Sequence, residues 1–366
     1  MRSKPEDSIK VPGILLLPPN RVWRTYAGGK TLDRIEGKLH PADSHFAEDW
    51  IASTTRAANV GREEMEQEGL STISLRGRDA VLKNLMESAP EPLLGSKHFR
   101  MYGAQTQFLL KLLDSAVRLH LQVHPTAAFA RAHLGSRSGK TEAYYILGIR
   151  QEVSTPYIYL GFQHPLPRAQ FEETVSGQDI GRMLGCFEKI PVAPGDVFIV
   201  PGGLPHAIGE GIFMMEIMEP TDFVARFEFE RGGYVLPEKA RFMGRDVGFA
   251  TEMTDFTPCT VQEVRRRFFA SPRKGERDSG GSQEVLIDSD QTACFSVRRL
   301  TVRDRFVQRL DSFCVGFVTK GFGMISAGDQ RERVVPWSRF LIPYQSRTVE
   351  YLADEELEVV LAFPPP

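Results

Sequence analysis

The chain has 366 residues, 45 basic against 47 acidic side chains and 42% hydrophobic content, the composition of an ordinary globular protein with ample material for a core. A net charge of −2 gives no support for a nucleic-acid or membrane-surface partner, and the cluster Arg265–Arg266–Arg267 reads as a solvated helix face. The apolar run 11–17 is too short to span a bilayer and lacks a cleavage pattern. The four cysteines, Cys186, Cys259, Cys294 and Cys314, form no C-x-x-C pair, so a reducing, cytoplasmic compartment is expected.

In chain order, the first ten residues read as a loose tail. Residues 62–69, 79–88 and 104–116 carry helical patterning, and strands are expected at 119–124, 142–149 and 156–162. A helical insertion at 167–188 interrupts the strand series, which resumes at 196–201, 211–218 and 223–229. The polar, glycine-rich stretch 271–284 offers almost nothing to bury and is the best linker candidate. Beyond it, strands are expected at 293–302, 313–320, 323–327, 339–343 and 357–363. The expected class is mainly β.

One internal echo bears on organisation. The segments 194–201 and 336–343 share proline, phenylalanine and proline at the same spacing, which suggests two related barrels. Continued in register, the echo sets Thr348 where the first copy has His206, so the second barrel would lack that ligand. The expected partition is a metal-binding unit over 1–255, a linker region over 256–284, and a degenerate barrel without metal ligands over 285–366.

The candidate metal ligands come from three short motifs. On a strand, residues two apart share a face, so in 119–125 (LHLQVHP) Gln122 and His124 point together before Pro125 ends the ladder. In 139–142 (GKTE), Lys140 and Glu142 share a face if that segment is extended. In 201–207 (PGGLPHA), His206 follows a tight turn for which Gly202–Gly203 are suited. Two imidazoles, a carboxylate and an amide oxygen suit Zn²⁺ or another first-row divalent ion. His120 shares the face of Gln122 and His124, either hydrogen-bonding a ligand or serving as a plain strand residue.

These motifs, continuing into Met215–Glu216–Ile217 and Asp222–Phe223–Val224–Ala225–Arg226, resemble the type I mannose-6-phosphate isomerases, especially the shorter bacterial form. Gly28–Gly29–Lys30–Thr31–Leu32 and Glu48–Asp49–Trp50 resemble that family's N-terminal region. The resemblance covers about 20–230. It implies a cupin fold, hence two cupin-type jelly-roll barrels with a helical insertion. It also implies one catalytic zinc on Gln122, His124, Glu142 and His206, and interconversion of mannose 6-phosphate and fructose 6-phosphate, with Arg226 facing the substrate and Lys140 beside the metal. Thr126 departs from the family's acidic residue after histidine-proline, and residues 227–249 depart from its usual continuation.

Aldose–ketose interconversion moves a proton between adjacent carbons through an enediolate, and a metal on the substrate oxygens stabilises the developing charge. Arg226 is set to stabilise that oxyanion or to hold a phosphate through its planar fork; the plain alternative is an exposed arginine paired with Glu228. Lys140 is a substrate contact or an exposed turn lysine. Glu216, among Ile212, Met214 and Met218, is a proton-transfer group with a raised pKa or a buried structural acceptor. The competing functional reading is a metal-binding cupin that acts on another sugar or serves as a non-catalytic sugar-binding or regulatory module.

Overall fold

A computed structural model describes residues 10–75 and 77–366; the expected N-terminal tail lies almost wholly outside them. Strands dominate, and among the described residues they pair into two seven-stranded sheets, a five-stranded and a four-stranded one, and two two-stranded hairpins. The first large sheet has the spatial order Phe269–Ala270, Val197–Val200, Glu142–Ile149, Ile212–Met218, Leu109–Asp114, Glu48–Ile51, Arg21–Val22. The second runs Leu15–Leu17, Arg339–Ile342, Cys314–Lys320, Leu357–Phe363, Ser296–Val302, Gly281–Ile287, Arg273–Arg277. Read position by position, the central strands of the two sheets occur in the same chain order. Only the edge strands break the parallel. Leu15–Leu17, from the N-terminal segment, pairs antiparallel with Arg339–Leu341 in the second sheet, and Ala270–Phe269 pairs with Val197–Phe198 in the first.

The smaller sheets repeat the same relation. One has the order Ile190–Pro191, Tyr157–Leu160, His206–Ile208, Gln122–Val123, Ala225–Arg226, and the other Gln330–Val334, Gly323–Ala327, Thr348–Ala353, Arg305–Arg309. Tyr144, Ile146, Phe198, Ile158, Leu160 and Ile208 fill the space between the first large sheet and its small partner. Leu300, Val318, Phe340, Leu361, Val349 and Tyr351 do so in the second pair. Between the two large sheets lies a third cluster that joins Leu110, Leu112, Tyr145 and Ile217 to Val297, Phe317, Leu341 and Val360. Each such buried side chain contributes about 1.5–3 kcal/mol relative to exposure. The expected insertion forms helices Arg168–Ser176 and Ile180–Leu184, which cover the outer face of the small sheet through Phe171, Val175 and Met183 against Leu121, Val123 and Phe227.

Several elements differ from the sequence reading. Residues 109–114, expected as helix, are a central strand buried at every position; with both faces covered, its leucines show no period of two. Residues 62–69 form turns rather than a helix, between Gly61 and Gly69, whose φ values are +85° and +90°. Residues 79–88 divide into strand Arg78–Val81 and helix Leu82–Ser88. The region 256–284, expected as a linker, holds helix Val261–Phe268, fixed by a Thr260/Glu263 capping box, and three strands. The polar composition that suggested a linker belongs to an edge strand. Arg273–Arg277 is exposed at every position, where charge is tolerated and discourages edge-to-edge pairing.

Candidate metal centre

Three motifs meet because two glycines carry no side chain. A Cβ on Gly139 would stand 2.5 Å from the Pro125 carbonyl oxygen, and one on Gly202 would stand 2.5 Å from the same atom. The turn after His124 is therefore gripped from both sides: Lys140 N–H donates to Pro125 O at 2.9 Å and Gly203 N–H to His124 O at 2.7 Å. Glu219 fixes the other flank, accepting from Gly139 N at 3.0 Å and Thr141 N at 2.9 Å. Strand register supplies the rest. Gln122 lies opposite His206, and Glu142 opposite Val200 and Met218. Thr126, the departure from the family pattern, caps helix Ala127–His133 by accepting from Phe129 N.

His124, Glu142 and His206 are buried, with their ligand atoms within 4.8 Å of one another. His124 Nε2 lies 3.2 Å and His206 Nε2 3.5 Å from the Glu142 carboxylate. Both imidazoles use Nδ1 on a backbone carbonyl, His124 on Phe223 O at 2.8 Å and His206 on Leu204 O at 2.9 Å. A carbonyl only accepts, so each Nδ1 carries the proton and each Nε2 turns a free lone pair on the cluster, the tautomer that metal ligation requires. Burial, with Lys140 and His206 nearby, pulls the His124 pKa down to about 3 against the pull of Glu142. Burial alone would raise the Glu142 carboxyl, but His124 and Lys140 hold it well below the usual carboxylate range. Tyr144 donates its hydroxyl to Glu142 Oε2, while the buried Glu142 Oε1 faces the Lys140 ammonium and His124 Nε2. Gln122 completes the set, its amide 3.3 Å from His206 Nε2; rotation of that amide turns its oxygen to the cluster. These donors fit a divalent ion. The Lys140 ammonium sits 3.0 Å from Glu142 Oε1 and 3.4 Å from His124 Nε2, so Lys140 is a buried neighbour of the ligands rather than an exposed turn lysine.

Beside the ligands runs a buried chain of charges that the sequence reading largely missed. Lys111 donates to Glu216 at 3.0 Å and lies 3.5 Å from Glu48. Glu48 also accepts from Tyr26 at 2.5 Å and Trp50 at 2.6 Å. Arg24 grips Asp222 through two bonds of 2.9 and 3.0 Å. Burial pushes the Glu216 carboxyl up to about 8, aided by Glu142 and Glu48 and opposed by Lys111. Lys111 was hidden by the helical reading of 104–116. The signal available was a lone lysine inside Leu-Leu-Lys-Leu-Leu, which is costly to bury unpaired.

Arg226 lines the same pocket as Gln122, Lys140, Glu142 and Glu216. It is not paired with Glu228. Glu228 is held at 2.7 Å by Arg118, whereas Arg226 donates only to Ala240 O at 3.0 Å. Burial, with Arg24 nearby, pulls its pKa down to about 10, as befits a guanidinium without a carboxylate in contact. Ala240 lies in the divergent 227–249 stretch, in helix Glu238–Arg241, so that stretch orients Arg226. His120 donates Nδ1–H to Glu228 O at 3.0 Å and hydrogen-bonds none of the candidate ligands, although it lines the same pocket.

The second pair of sheets corrects the echo. Val349 lies opposite Gln308 as His206 lies opposite Gln122, and Val349 faces the core, whereas Thr348 is exposed. One residue more separates Pro343 from Val349 than Pro201 from His206, so the register slips by one and turns Thr348 outward. Cys314, opposite Ile342, stands where the first copy has Glu142 opposite Val200. Leu310, two residues beyond Gln308, takes the place of His124. Leu310, Cys314 and Val349 are core residues of one cluster.

No family model matches the chain. A probable mannose-6-phosphate isomerase of Bacillus subtilis is 32% identical over 130 residues, 35% of this chain and 39% of that protein. The matches span less than half the length of the curated relatives. Solved structures match almost throughout. The mannose 6-phosphate isomerase of Bacillus subtilis superposes with a TM-score of 0.73 at 19% identity over 96% of this chain and 99% of that one. A zinc-bound mannose 6-phosphate isomerase superposes at 0.68 and 15% identity over 96% and 100%. The chain thus has the fold of these isomerases over nearly its whole length, and is related to them in sequence over a part.

Proposed function

We propose that the chain is a zinc-dependent isomerase that interconverts mannose 6-phosphate and fructose 6-phosphate. One observation carries the reading: two imidazoles, each with Nδ1–H committed to a backbone carbonyl, turn their free nitrogens on one buried carboxylate. The similarity to named isomerases and to a zinc-bound one supports the substrate and the metal. Gln122, His124, Glu142 and His206 hold the ion, which supplies a Lewis acid for the sugar's carbonyl and hydroxyl oxygens.

The chain's own residues supply the rest. Glu216, with a carboxyl poised near 8, is the group that exchanges a proton near neutral pH. Lys111, whose ammonium is stabilised by Glu48 and, when it is ionised, by Glu216, remains a cation and orients Glu216. Arg226 and Lys140 present positive charge to an oxyanion or phosphate. The cavity among these groups is about 20 Å³, smaller than a hexose, so the pocket must widen to admit one.

In this reading each pair of sheets is a cupin-type jelly-roll barrel. Residues 1–255 make most of the metal-binding unit and 285–366 most of the degenerate one, which also takes the strands Leu15–Leu17, Arg273–Arg277 and the start of Gly281–Ile287, while Phe269–Ala270 joins the first. Four free cysteines fit a reducing cytoplasm. A coupled isomerase assay on the full chain, with and without chelator, tests the proposal. Activity should vanish on chelation and return with zinc. Chelator-insensitive activity, or none in metal-loaded protein, overturns it. The latter result would favour a sugar-binding module.

A further inference from the structure

A second cavity, of about 320 Å³, opens where helix Ser96–Tyr102 packs against the end of the second pair of sheets. Its size lies at the lower end of small-molecule sites. The cavity caps the same end of its sandwich as the metal cluster does in the first. Arg298 stands opposite Leu361 as Lys111 stands opposite Glu216, so one inward position carries a cation in both copies. The ligand positions beneath it, by contrast, are closed by Leu310, Cys314 and Val349.

The wall is cationic. Lys97, Arg298 and Arg309 line it, and among the described residues none of the three has a carboxylate within ion-pair distance. The one acidic side chain in the wall, Asp311, already faces Arg347 at 3.6 Å. Rings share the wall with the cations. Tyr102 and Tyr344 line the cavity with His98, and Arg298 stacks over Phe363 with its guanidinium carbon 4.7 Å from the ring centroid. His98 donates Nε2–H to Gln105 O at 2.8 Å, which leaves its Nδ1 as an acceptor. Unbalanced guanidinium groups favour a phosphoryl group, which matches their planar fork, and the rings favour a ligand that carries a flat or apolar portion.

We infer that this cavity is a second, metal-independent site that binds a small organic phosphate through Arg298, Arg309 and Lys97. The inference does not depend on the isomerase reading, because none of these residues belongs to the metal pocket.

Equilibrium dialysis of the full chain counts bound phosphate, with inorganic phosphate and phenyl phosphate as probes. The Arg298→Gln/Arg309→Gln variant should bind one equivalent of phenyl phosphate fewer than wild type, with circular dichroism confirming its fold. Arg226→Met should keep that equivalent, which separates the two sites. Phenyl phosphate should bind at least tenfold more tightly than inorganic phosphate at the second site; equal affinity would identify a site for free phosphate and overturn the organic-ligand assignment. If the paired variant fails to fold, the exposed Lys97→Met should by itself weaken binding at the second site severalfold. An equal count in wild type and the folded double variant overturns the site. Failure of the isomerase assay would leave that difference of one equivalent unaffected.

Discussion

At the residue scale, the hydroxyl of Tyr144 is a test of how the ligands are held. It donates to Glu142 Oε2 and sits fully buried against Phe198. Tyr144→Phe keeps the ring and removes the donor. Groups that orient a ligand in this way typically change metal affinity by about 10–100-fold, so zinc should still bind one per chain but yield to chelator at a correspondingly lower concentration. Competition titration against a fluorescent chelator measures it, and unchanged affinity would mean that Glu142 is positioned by the backbone alone. Arg226 has a separate test. If it stabilises an oxyanion, Arg226→Met should lower kcat by about 100–1000-fold; if it holds the phosphate, the loss should fall mainly on KM. Steady-state kinetics separates the two, and metal content should be unchanged in either case, because arginine is no ligand. Wild-type kinetics would remove Arg226 from the site.

At the scale of elements, the legible parts were those whose chemistry is local. Gln122 and His124 two apart on a strand, and His206 after a glycine turn, declare themselves by type and spacing. Glu216 could be flagged but not assigned, because its partner Lys111 lies 105 residues away in sequence on a strand whose doubly buried faces imitate a helix. The alternative that paired Arg226 with Glu228 drew on same-strand spacing, which is visible in a sequence, whereas the actual partner of Glu228, Arg118, joins it only through the fold. That Arg118–Glu228 pair ties the approach to Gln122 to the strand after Arg226, and Glu228 also accepts from Leu121 N at 2.7 Å. Burial alone would raise the Glu228 carboxyl; the Arg118 guanidinium outweighs it and holds the pKa below the ordinary value. A depressed carboxylate contributes stability that is full above the unfolded pKa, about 4.3, and is lost as pH falls through the folded one. Glu228→Gln should therefore cost about 3 kcal/mol at pH 7, since it leaves a buried guanidinium without its counter-charge. The gap should narrow in acid below about pH 4. Urea unfolding at pH 7, 5 and 3.5 reads it, and a gap constant across that range would show that Glu228 contributes packing rather than charge.

At the scale of the whole molecule, the two copies are not separable, although the sequence echo invites cutting between them. Leu15–Leu17 completes the second large sheet while Phe269–Ala270 completes the first, so each half borrows an edge strand from the other side of the obvious cut. The borrowed strand is anchored. Gln330 both accepts from Ile14 N and donates to Ile14 O, each at 2.9 Å, and Ser346 donates to Gly13 O at 2.8 Å. A fragment 285–366 would lack that strand, its cover over Leu341, and all of Arg273–Arg277, exposing hydrogen-bonding groups along two edges. It would also bare Phe317, Val360 and Val297, which now pack against the other large sheet. The full chain should then unfold in one cooperative transition, because the interface cluster belongs equally to both halves. The isolated fragment should be unfolded or aggregated, and addition of a separate 10–284 fragment should restore folded signal, whereas an 18–284 fragment, which lacks the N-terminal strand, should not. Calorimetry of the full chain and near-ultraviolet circular dichroism of the mixed fragments measure this. Two resolved transitions, or a well-folded monomeric 285–366, would show that the edge-strand exchange is dispensable and that each copy carries its own fold.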